Sequence, residues 1–247
     1  MAWVTLQYSK NAVKRAGKRL RDDVTGKAPL PPDGRGRQRT IVANFRSAHA
    51  FALNAAQNGL RSRVRTATGI QNPVVSQRLK EHDSIVAKLV RGAPRAQLST
   101  MQDVGGVRAV LPDTAAVLAV AAQFRRTAVG RIVGVDDYVT NPQRSGYRAI
   151  HVVVEYDGYR GDGPFPIEVQ LRSKYQHEWA MQVEAWGQRT GHPLKQATGP
   201  EVYLEYLHTL SVVYEHLEAG TEPADQVLST LVEQRDAAEA RFRRDQR

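Results

Sequence analysis

The segment from Asp136 to His151 combines residue types that suit a bound nucleotide. It reads DDYVTNPQRSGYRAIH, with a proline-broken loop, then Gly146 and Tyr147, and a histidine entering the apolar run 152–154. An aromatic ring, clustered cations and a titratable imidazole would serve a purine base and its phosphates. Such loops also occur as plain connections. The hypothesis therefore depends on finding phosphate ligands and metal-binding carboxylates elsewhere in the chain.

Two carboxylates in the centre of the chain are candidates for holding a cation. Asp103 immediately precedes the predicted turn and strand GGVRAVL, and Glu168 lies in the predicted strand IEVQLRS. Alternation along that strand places Glu168, Gln170 and Arg172 on one side of the sheet. Carboxylates from neighbouring strands suit Mg²⁺, which takes oxygen ligands beside substrate phosphates. A single strand acid is more often exposed or salt-bridged, so the metal hypothesis needs both acids and nearby phosphate ligands.

Cations that could bind phosphate precede these acids. Arg78 and Lys80 end a predicted strand, and Ser84 opens the following helix, where backbone N–H groups meet anions. Lys88 lies one helical turn beyond Ser84, on the same face. Arg108 interrupts the apolar strand VRAVL, where a guanidinium could stack on a base or neutralise phosphate. Each residue taken singly is compatible with a solvated surface charge.

The elements that must position these residues alternate between helix and strand. Hydrophobic spacing predicts helices at about 9–21, 40–63, 84–90, 114–126, 174–186, 201–218 and 225–245. It predicts strands at about 73–80, 107–111, 131–135, 150–156 and 166–171. The segments KAPLPPDGRGRQ and DGYRGDGPF are predicted loops, the second joining a hairpin. This order predicts an α+β fold with a mixed, roughly five-stranded sheet flanked by helices, extended by helices at both ends.

Composition excludes several classes of protein. The 247 residues are 41% hydrophobic and 24% charged, which is ordinary for a globular protein. No stretch approaches the roughly 20 apolar residues of a membrane span, and the N-terminus lacks the pattern of a signal peptide. With no cysteine there is no disulfide framework and no thiol nucleophile. We expect a cytoplasmic protein without a membrane partner.

The charge of the chain indicates a polyanionic partner. The net charge is +10, and Lys and Arg crowd the first 65 residues, including Lys14, Lys18 and Arg19 in the first predicted helix. Nucleotides, RNA or an acidic protein would be attracted to such a surface. A basic surface with no dedicated partner is the alternative.

Four segments in this order resemble the RelA/SpoT synthetase domain in its short, single-domain form: RLKEHDSIVAKLVRG, QDVGGVRAVL, DYVTNPQRSGYRAIH and IEVQLRSKYQHEWA. The resemblance covers about residues 39–188. It implies a nucleotidyltransferase-like sheet and transfer of pyrophosphate from ATP to the 3′-hydroxyl of GDP or GTP. It divides the chain into a basic N-terminal helix and loop (1–38), a synthetase domain (39–190), and C-terminal helices (191–247) that pack on the domain or on an oligomer partner.

The resemblance implies roles on the ATP side by motif position. Arg78 and Arg108 would sandwich the adenine ring. Lys80, Ser84 and Lys88 would bind the phosphates. Pyrophosphoryl transfer asks mainly for alignment and for charge stabilisation, which Mg²⁺ and a ring of Arg and Lys would supply.

It also implies roles at the metal and on the acceptor side. Asp103 would be the principal Mg²⁺ ligand, and Glu168 would help to hold the metal and act as general base towards the acceptor 3′-hydroxyl. Tyr147 would stack on the acceptor base. His151 would contact phosphate, and Gln170 would help to position the acceptor ribose.

One departure from the pattern leaves the acceptor open. Many members have a lysine just after the loop proline, where this chain has Gln143 followed by Arg144. Without that lysine the acceptor 5′ phosphates would be held less tightly. GDP or GTP, giving (p)ppGpp, and ADP or ATP, giving (p)ppApp, are then candidate acceptors.

Two further alternatives are open. The chain could be a toxin that modifies the 3′ end of tRNA through Lys14, Lys18 and Arg19, in which case an antitoxin protein would accompany it. It could instead be a catalytically weakened member that binds a nucleotide or a partner. Short members often assemble as tetramers, so a homo-oligomer is also predicted.

Overall fold

The computed structural model describes residues 3–126 and 130–246. Within these ranges the helices are α1 (Lys10–Val24), α2 (Pro32–Thr68), α3 (His82–Arg91), α4 (Thr114–Arg126), α5 (Lys174–Thr190), α6 (Glu201–Ala219) and α7 (Asp225–Asp245). The strands are β1 (Val75–Leu79), β2 (Gly105–Leu111), β3 (Arg131–Asp137), β4 (Ile150–Tyr156) and β5 (Phe165–Ser173). Short 3₁₀ turns lie at Leu98–Thr100, Tyr159–Gly161 and Leu194–Gln196. No described helix is long and apolar enough to cross a membrane.

The strands form a mixed sheet with the order β1-β2-β5-β4-β3. β1 and β2 run antiparallel, with Arg78 opposite Gly106 and Ser76 opposite Arg108. Residues directly opposite each other in an antiparallel pair share a face, and so do residues two apart on one strand. Arg78 and Arg108 therefore project from the same side of the sheet. The predicted α+β fold with a five-stranded mixed sheet is confirmed.

The second helix begins earlier than the sequence pattern predicts. KAPLPPDGRGRQ (residues 27–38) is a predicted loop, but α2 starts at Pro32, so the prediction is wrong for residues 32–38. Proline is favoured at the first helical position because its fixed φ suits the helix and no N–H bond is lost. The Nε of Arg35 donates to Asp23 of α1 at 2.6 Å. This bond, followed by one from the Leu30 backbone N–H, lowers the pKa of Asp23 to about 2.

Contacts divide the chain into two compact units. The first comprises Met1–Ala109, Gln123–Val135 and Val152–Gln170, and the second comprises Val110–Ala122, Asp136–His151 and Leu171–Arg247. In the first unit, α1 contacts α2 and α3 and buries Val13, Ala16 and Leu20 at helical spacing. Gly17 lies on the same buried face, and a Cβ there would sit 2.7 Å from the Cβ of Leu98. Only glycine allows this close approach.

In the second unit, α5, α6 and α7 enclose an aromatic core. The rings of Trp186 and Tyr203 lie 5.5 Å apart, and the Trp179 indole N–H donates to the Leu207 carbonyl oxygen at 2.7 Å. On α6, Leu207 and Leu210 are among the residues that are buried within the chain. The homo-oligomer stays a prediction.

Candidate functional site

The first unit contains a pocket of about 250 Å³ on the face of the sheet that carries the two arginines. Its lining comes from β1, β2, β5 and the turn before β2: Ser76, Gln77, Arg78, Asp103, Gly106, Val107, Arg108, Glu168 and Gln170. Gly106 has no side chain, so the space opposite Arg78 stays open. Five residues predicted from the sequence therefore surround one cavity: Arg78, Asp103, Arg108, Glu168 and Gln170.

Two lysines hold the carboxylate of Asp103 at this pocket. Lys80 Nζ lies 3.0 Å from Oδ2, and Lys88 Nζ lies 2.8 Å from Oδ1. Burial would raise the pKa of Asp103, but the hydrogen bonds and charges of Lys88 and Lys80 outweigh it, so the pKa lies below its usual value. Asp103 is therefore ionised, and its negative charge offsets part of the positive charge of Lys80 and Lys88.

Helix α3 carries the remaining residues predicted to bind phosphate. Ser84 is exposed in its first turn, and Lys88 follows four residues later, so both side chains lie on one face of the helix. Ser84 does not line the pocket. The first turn presents backbone N–H groups and the positive end of the helix dipole, which favour an anion.

Gln170 links an arginine and a carboxylate through its amide group. Arg108 Nε donates to Gln170 Oε1 at 3.3 Å, and Gln170 Nε2 donates to Glu168 Oε2 at 2.6 Å. Glu168 and Gln170 are two residues apart on β5, so their side chains share a face, as the sequence alternation predicted. The amide therefore helps to orient the Glu168 carboxylate by donating to it.

The oxygen atoms at the pocket could bind Mg²⁺ together with the phosphates of a nucleotide. Within residues 3–126 and 130–246, no group of three or more His, Cys, Asp or Glu is arranged to hold a metal. Mg²⁺, however, is commonly held by one or two carboxylates together with substrate phosphates and water. Asp103 and Glu168 both line the pocket and could supply those carboxylates.

Tyr147 and His151, predicted for the acceptor side, are in direct contact in the second unit. The Tyr147 hydroxyl lies 2.6 Å from His151 Nε2, and Arg172 donates to the same hydroxyl at 2.7 Å. The Tyr147 ring also contacts Trp179, and Lys195 Nζ lies 5.5 Å from its centroid. Tyr147 is only 2% exposed. A base can therefore stack on this ring only if one of the covering side chains moves, and the stacking role stays a prediction.

The loop before Tyr147 is anchored through its backbone. The Gln143 N–H donates to the Tyr147 carbonyl oxygen at 3.1 Å, and the Ser211 hydroxyl donates to the Gly146 carbonyl oxygen at 2.8 Å. Gly146 has φ +86°, and a Cβ at this position would lie 2.7 Å from the Cβ of Ser211, so glycine is required. Gln143 and Arg144 are exposed on this loop.

Sequence reasoning assigned no site role to two residues beside Tyr147. Arg172 shares the strand face of Glu168 and Gln170 by alternation, and that signal could have identified it. Lys195 lies in the Leu194–Gln196 turn, where buried Leu194 fixes the chain. Nothing in the local sequence separates Lys195 from an ordinary surface lysine.

The residues proposed for tRNA contact lie on the exposed face of α1. Lys14, Lys18 and Arg19 are all exposed, while the opposite face of the helix is buried. Across the described residues, none of the three forms a salt bridge with an acid. The helix therefore presents cations that are not neutralised within the chain.

This arrangement of sheet, cations and paired carboxylates is typical of proteins that bind nucleotide phosphates. Comparison with known sequences identifies a family region within the chain. Residues 77–187 match the family model described as a region found in RelA / SpoT proteins. The chain carries a RelA/SpoT-type region, as the sequence motifs indicated.

Named relatives share this region to different extents. The uncharacterized protein Rv1366 of Mycobacterium tuberculosis is 29% identical over 198 residues, which cover 78% of this chain and 64% of that protein. The GTP pyrophosphokinase of Escherichia coli K12 is 35% identical over 103 residues, covering 40% of this chain and 13% of the relative. The chain thus spans less than two thirds of the length of these curated relatives.

A solved structure shows the same fold. Small alarmone synthetase 1 from Bacillus subtilis, bound to its product pppGpp, superposes with a TM-score of 0.62 at 22% identity. The match covers 72% of this chain and 93% of the synthetase. The chain therefore has the fold of a small alarmone synthetase.

Proposed function

We propose that this protein transfers the β,γ-pyrophosphate of ATP to the 3′-hydroxyl of a guanosine or adenosine nucleotide. The observation that carries the proposal is the pocket that gathers two arginines, Asp103 and Glu168 within the RelA/SpoT-type region. Further support comes from the E. coli relative, which is a GTP pyrophosphokinase, and from the pppGpp bound to the B. subtilis synthetase.

In the proposed reaction, the acceptor 3′-oxygen forms a bond to the β-phosphorus of ATP. The bond between that phosphorus and the oxygen bridging to the α-phosphate breaks, and AMP leaves with the bridging oxygen. Glu168, oriented by Gln170, accepts the hydroxyl proton. Arg78 and Arg108 hold the adenine ring between them, because they project from one face of neighbouring strands.

Binding of ATP changes the partners of the two lysines. Lys80 and Lys88 turn from Asp103 towards the phosphates, where their charges offset the negative charge of the transition state. Asp103, released from the lysines, and Glu168 would then hold Mg²⁺, which supplies charge neutralisation at the phosphoryl oxygens when bound. In the bound state the two lysines would thus pair with the substrate phosphates instead of with Asp103.

A label-transfer assay tests the proposal. Purified protein, Mg²⁺ and ATP labelled at the γ-phosphate are offered GDP, GTP, ADP or deacylated tRNA in separate reactions. We expect label on a free nucleotide and its loss in Asp103→Asn. Asp157→Asn is the matched control, because Asp157 is an exposed acid of the same unit that does not line the pocket. Label on tRNA alone, or on no acceptor, would contradict the proposal.

Modification of the tRNA 3′ end is a second candidate, favoured by the exposed cations of α1. A helix that presents Lys14, Lys18 and Arg19 without acidic partners can contact successive phosphates and release their counterions. The acceptor would then be the 3′-terminal hydroxyl of tRNA, and the ATP side of the site would be unchanged.

Charge reversal separates this candidate from nucleotide synthesis. The triple variant Lys14→Glu, Lys18→Glu, Arg19→Glu should abolish labelling of tRNA and leave labelling of a free nucleotide unchanged. Arg243→Glu with Arg244→Glu, on the exposed end of α7, is the control for a change of net charge. Unchanged tRNA labelling in the triple variant would show that α1 does not contribute to tRNA binding. Binding of ATP without transfer to any acceptor would instead support a nucleotide-binding protein.

A further inference from the structure

We propose that Gly106 is a specificity-determining residue, because its missing side chain leaves a slot for a planar base between Arg78 and Arg108. The role deepens the proposed function and rests on it. Gly106 lies in β2, directly opposite Arg78 of β1 and two residues before Arg108. All three residues line the pocket of the first unit and project from one face of the sheet. The space over Gly106, between the two arginines, is called the base slot.

The spacing of the two arginines matches the thickness of a stacked base. They are diagonal neighbours across an antiparallel pair of strands, and such positions are about 7–8 Å apart. A planar ring that contacts a guanidinium on each face at about 3.5–4.0 Å requires about 7–8 Å between the two groups. Arg108 Nε donates to Gln170 Oε1 of β5 at 3.3 Å, and β5 lies on the side of β2 away from β1. This bond therefore holds Arg108 away from Arg78 and keeps the base slot open.

Neither the backbone nor the packing of the fold requires glycine at position 106. Its φ is outside the positive range that favours glycine. Of the described atoms beyond its chain neighbours, a Cβ here would meet only the Glu168 carbonyl oxygen within 4 Å, at an ordinary 3.6 Å. At Gly105, by contrast, a Cβ would lie 2.7 Å from Ile167 Cδ1, so packing explains that glycine. Glycine weakens a strand interior and often marks a place where a ligand approaches the backbone closely.

A side chain at position 106 would compete with the base and not with the phosphates. Its Cβ would project into the base slot, on the face that carries both arginines. The proposed mechanism assigns the phosphates to Lys80 and Lys88, which follow β1, and neither lysine lines the pocket beside Gly106. Substitution of Gly106 should therefore weaken ligands that carry a base and leave the binding of base-free polyphosphates unchanged.

Binding of two ligands in EDTA tests the base slot without turnover. ATP and inorganic tripolyphosphate, which has three linked phosphates and no nucleoside, are titrated by calorimetry into the wild type, Gly106→Ala and Gly106→Val. We expect Gly106→Val to weaken ATP binding about tenfold to a hundredfold, the scale of one stacked base, and Gly106→Ala to weaken it less. Tripolyphosphate should bind both variants as it binds the wild type. The Tm of Gly106→Ala should not fall, because the added Cβ has room and alanine suits a strand better than glycine.

Gly134→Val is the matched control. Gly134 is a half-buried strand glycine of the same unit that does not line the pocket, and a Cβ there would lie 3.9 Å from the Val153 side chain. Its affinity for ATP should equal that of the wild type. Unchanged ATP affinity in Gly106→Val, or an equal loss of ATP and tripolyphosphate binding, would overturn the base slot. The expected binding pattern without transfer of label to any acceptor would support the base slot and contradict the proposed function.

Discussion

Replacing Asp103 by asparagine should strengthen the binding of metal-free ATP while it abolishes turnover. In the free protein, Asp103 occupies both lysines that the proposed mechanism assigns to the phosphates, at 3.0 Å and 2.8 Å. The neutral amide of asparagine keeps the shape of the side chain but removes its charge. Lys80 and Lys88 then have no anionic partner at this position, and the repulsion between Asp103 and the phosphates disappears.

The expected size follows from the exposure of the two lysines. The Lys80 side chain is 11% exposed, so its ion pair is weakly screened, whereas Lys88 is 42% exposed and adds less. A hydrogen bond to a charged group contributes about 1.5–3 kcal/mol. Taking the low end for Lys80 alone, we expect ATP affinity in EDTA to rise about tenfold. Loss of the proposed Mg²⁺ ligand should remove several kcal/mol of transition-state stabilisation, which corresponds to a fall in kcat of about a thousandfold.

Calorimetric titration of ATP in EDTA, and label transfer in Mg²⁺, measure the two effects separately. Asp157→Asn should match the wild type in both. A general loss of structure would weaken ATP binding under every condition, so a gain in EDTA cannot arise from misfolding. The reasoning is refuted if Asp103→Asn binds metal-free ATP no more tightly than the wild type.

Three further variants test particular residues of the first unit. Gln170→Leu should lower kcat about tenfold to a hundredfold, since Glu168 loses its orienting donor. Gln182→Leu is the control, because Gln182 of α5 is a half-buried glutamine that also donates to a glutamate, and kcat should not change. A wild-type kcat in Gln170→Leu would remove Gln170 from the mechanism. Burial lowers the pKa of His49 to about 4, so wild-type stability should fall by about 3 kcal/mol as pH drops from about 6.5 to 4. Urea unfolding of His49→Gln should show a smaller dependence of the free energy of unfolding on pH in this range. An unchanged dependence would contradict the lowered pKa of His49. Asp23, with its pKa lowered to about 2, stabilises the fold above about pH 4, and this stabilisation is lost as the pH falls from about 4 to 2. Asp23→Asn should therefore lower Tm at pH 7 and reduce the fall of Tm between about pH 4 and 2.

Local patterns predict the elements that line the pocket of the first unit. Alternation in IEVQLRS placed Glu168 and Gln170 on one face, and the structure has them hydrogen-bonded there. The sequence pattern misses the start of α2 because proline and glycine are common in loops, although Pro32 occupies the first helical position, which tolerates proline best. Asp23 of α1 contacts the first turn of α2 through Arg35. No local sequence pattern links these two residues, so this contact could not be predicted.

The environment of Tyr147 could not be predicted from its own segment. Its burial depends on Trp179 and Lys195, which follow more than 30 residues later, and on Arg172 from β5. Periodicity reports which face of an element is buried, but not which distant side chain covers it. The ring that the resemblance assigns to stacking on the acceptor base is therefore buried, and its hydroxyl accepts a hydrogen bond from Arg172.

In each unit an arginine begins a series of side-chain contacts that reaches a candidate site residue. In the first, Arg108 donates to the Gln170 amide, and the amide donates to Glu168. In the second, Arg172 donates to the Tyr147 hydroxyl, which lies 2.6 Å from His151 Nε2. Because a guanidinium can only donate, the Gln170 amide oxygen and the Tyr147 hydroxyl oxygen must each accept from their arginine. The arginines therefore orient the two polar groups that contact Glu168 and His151, although neither arginine contacts those two residues through these hydrogen bonds.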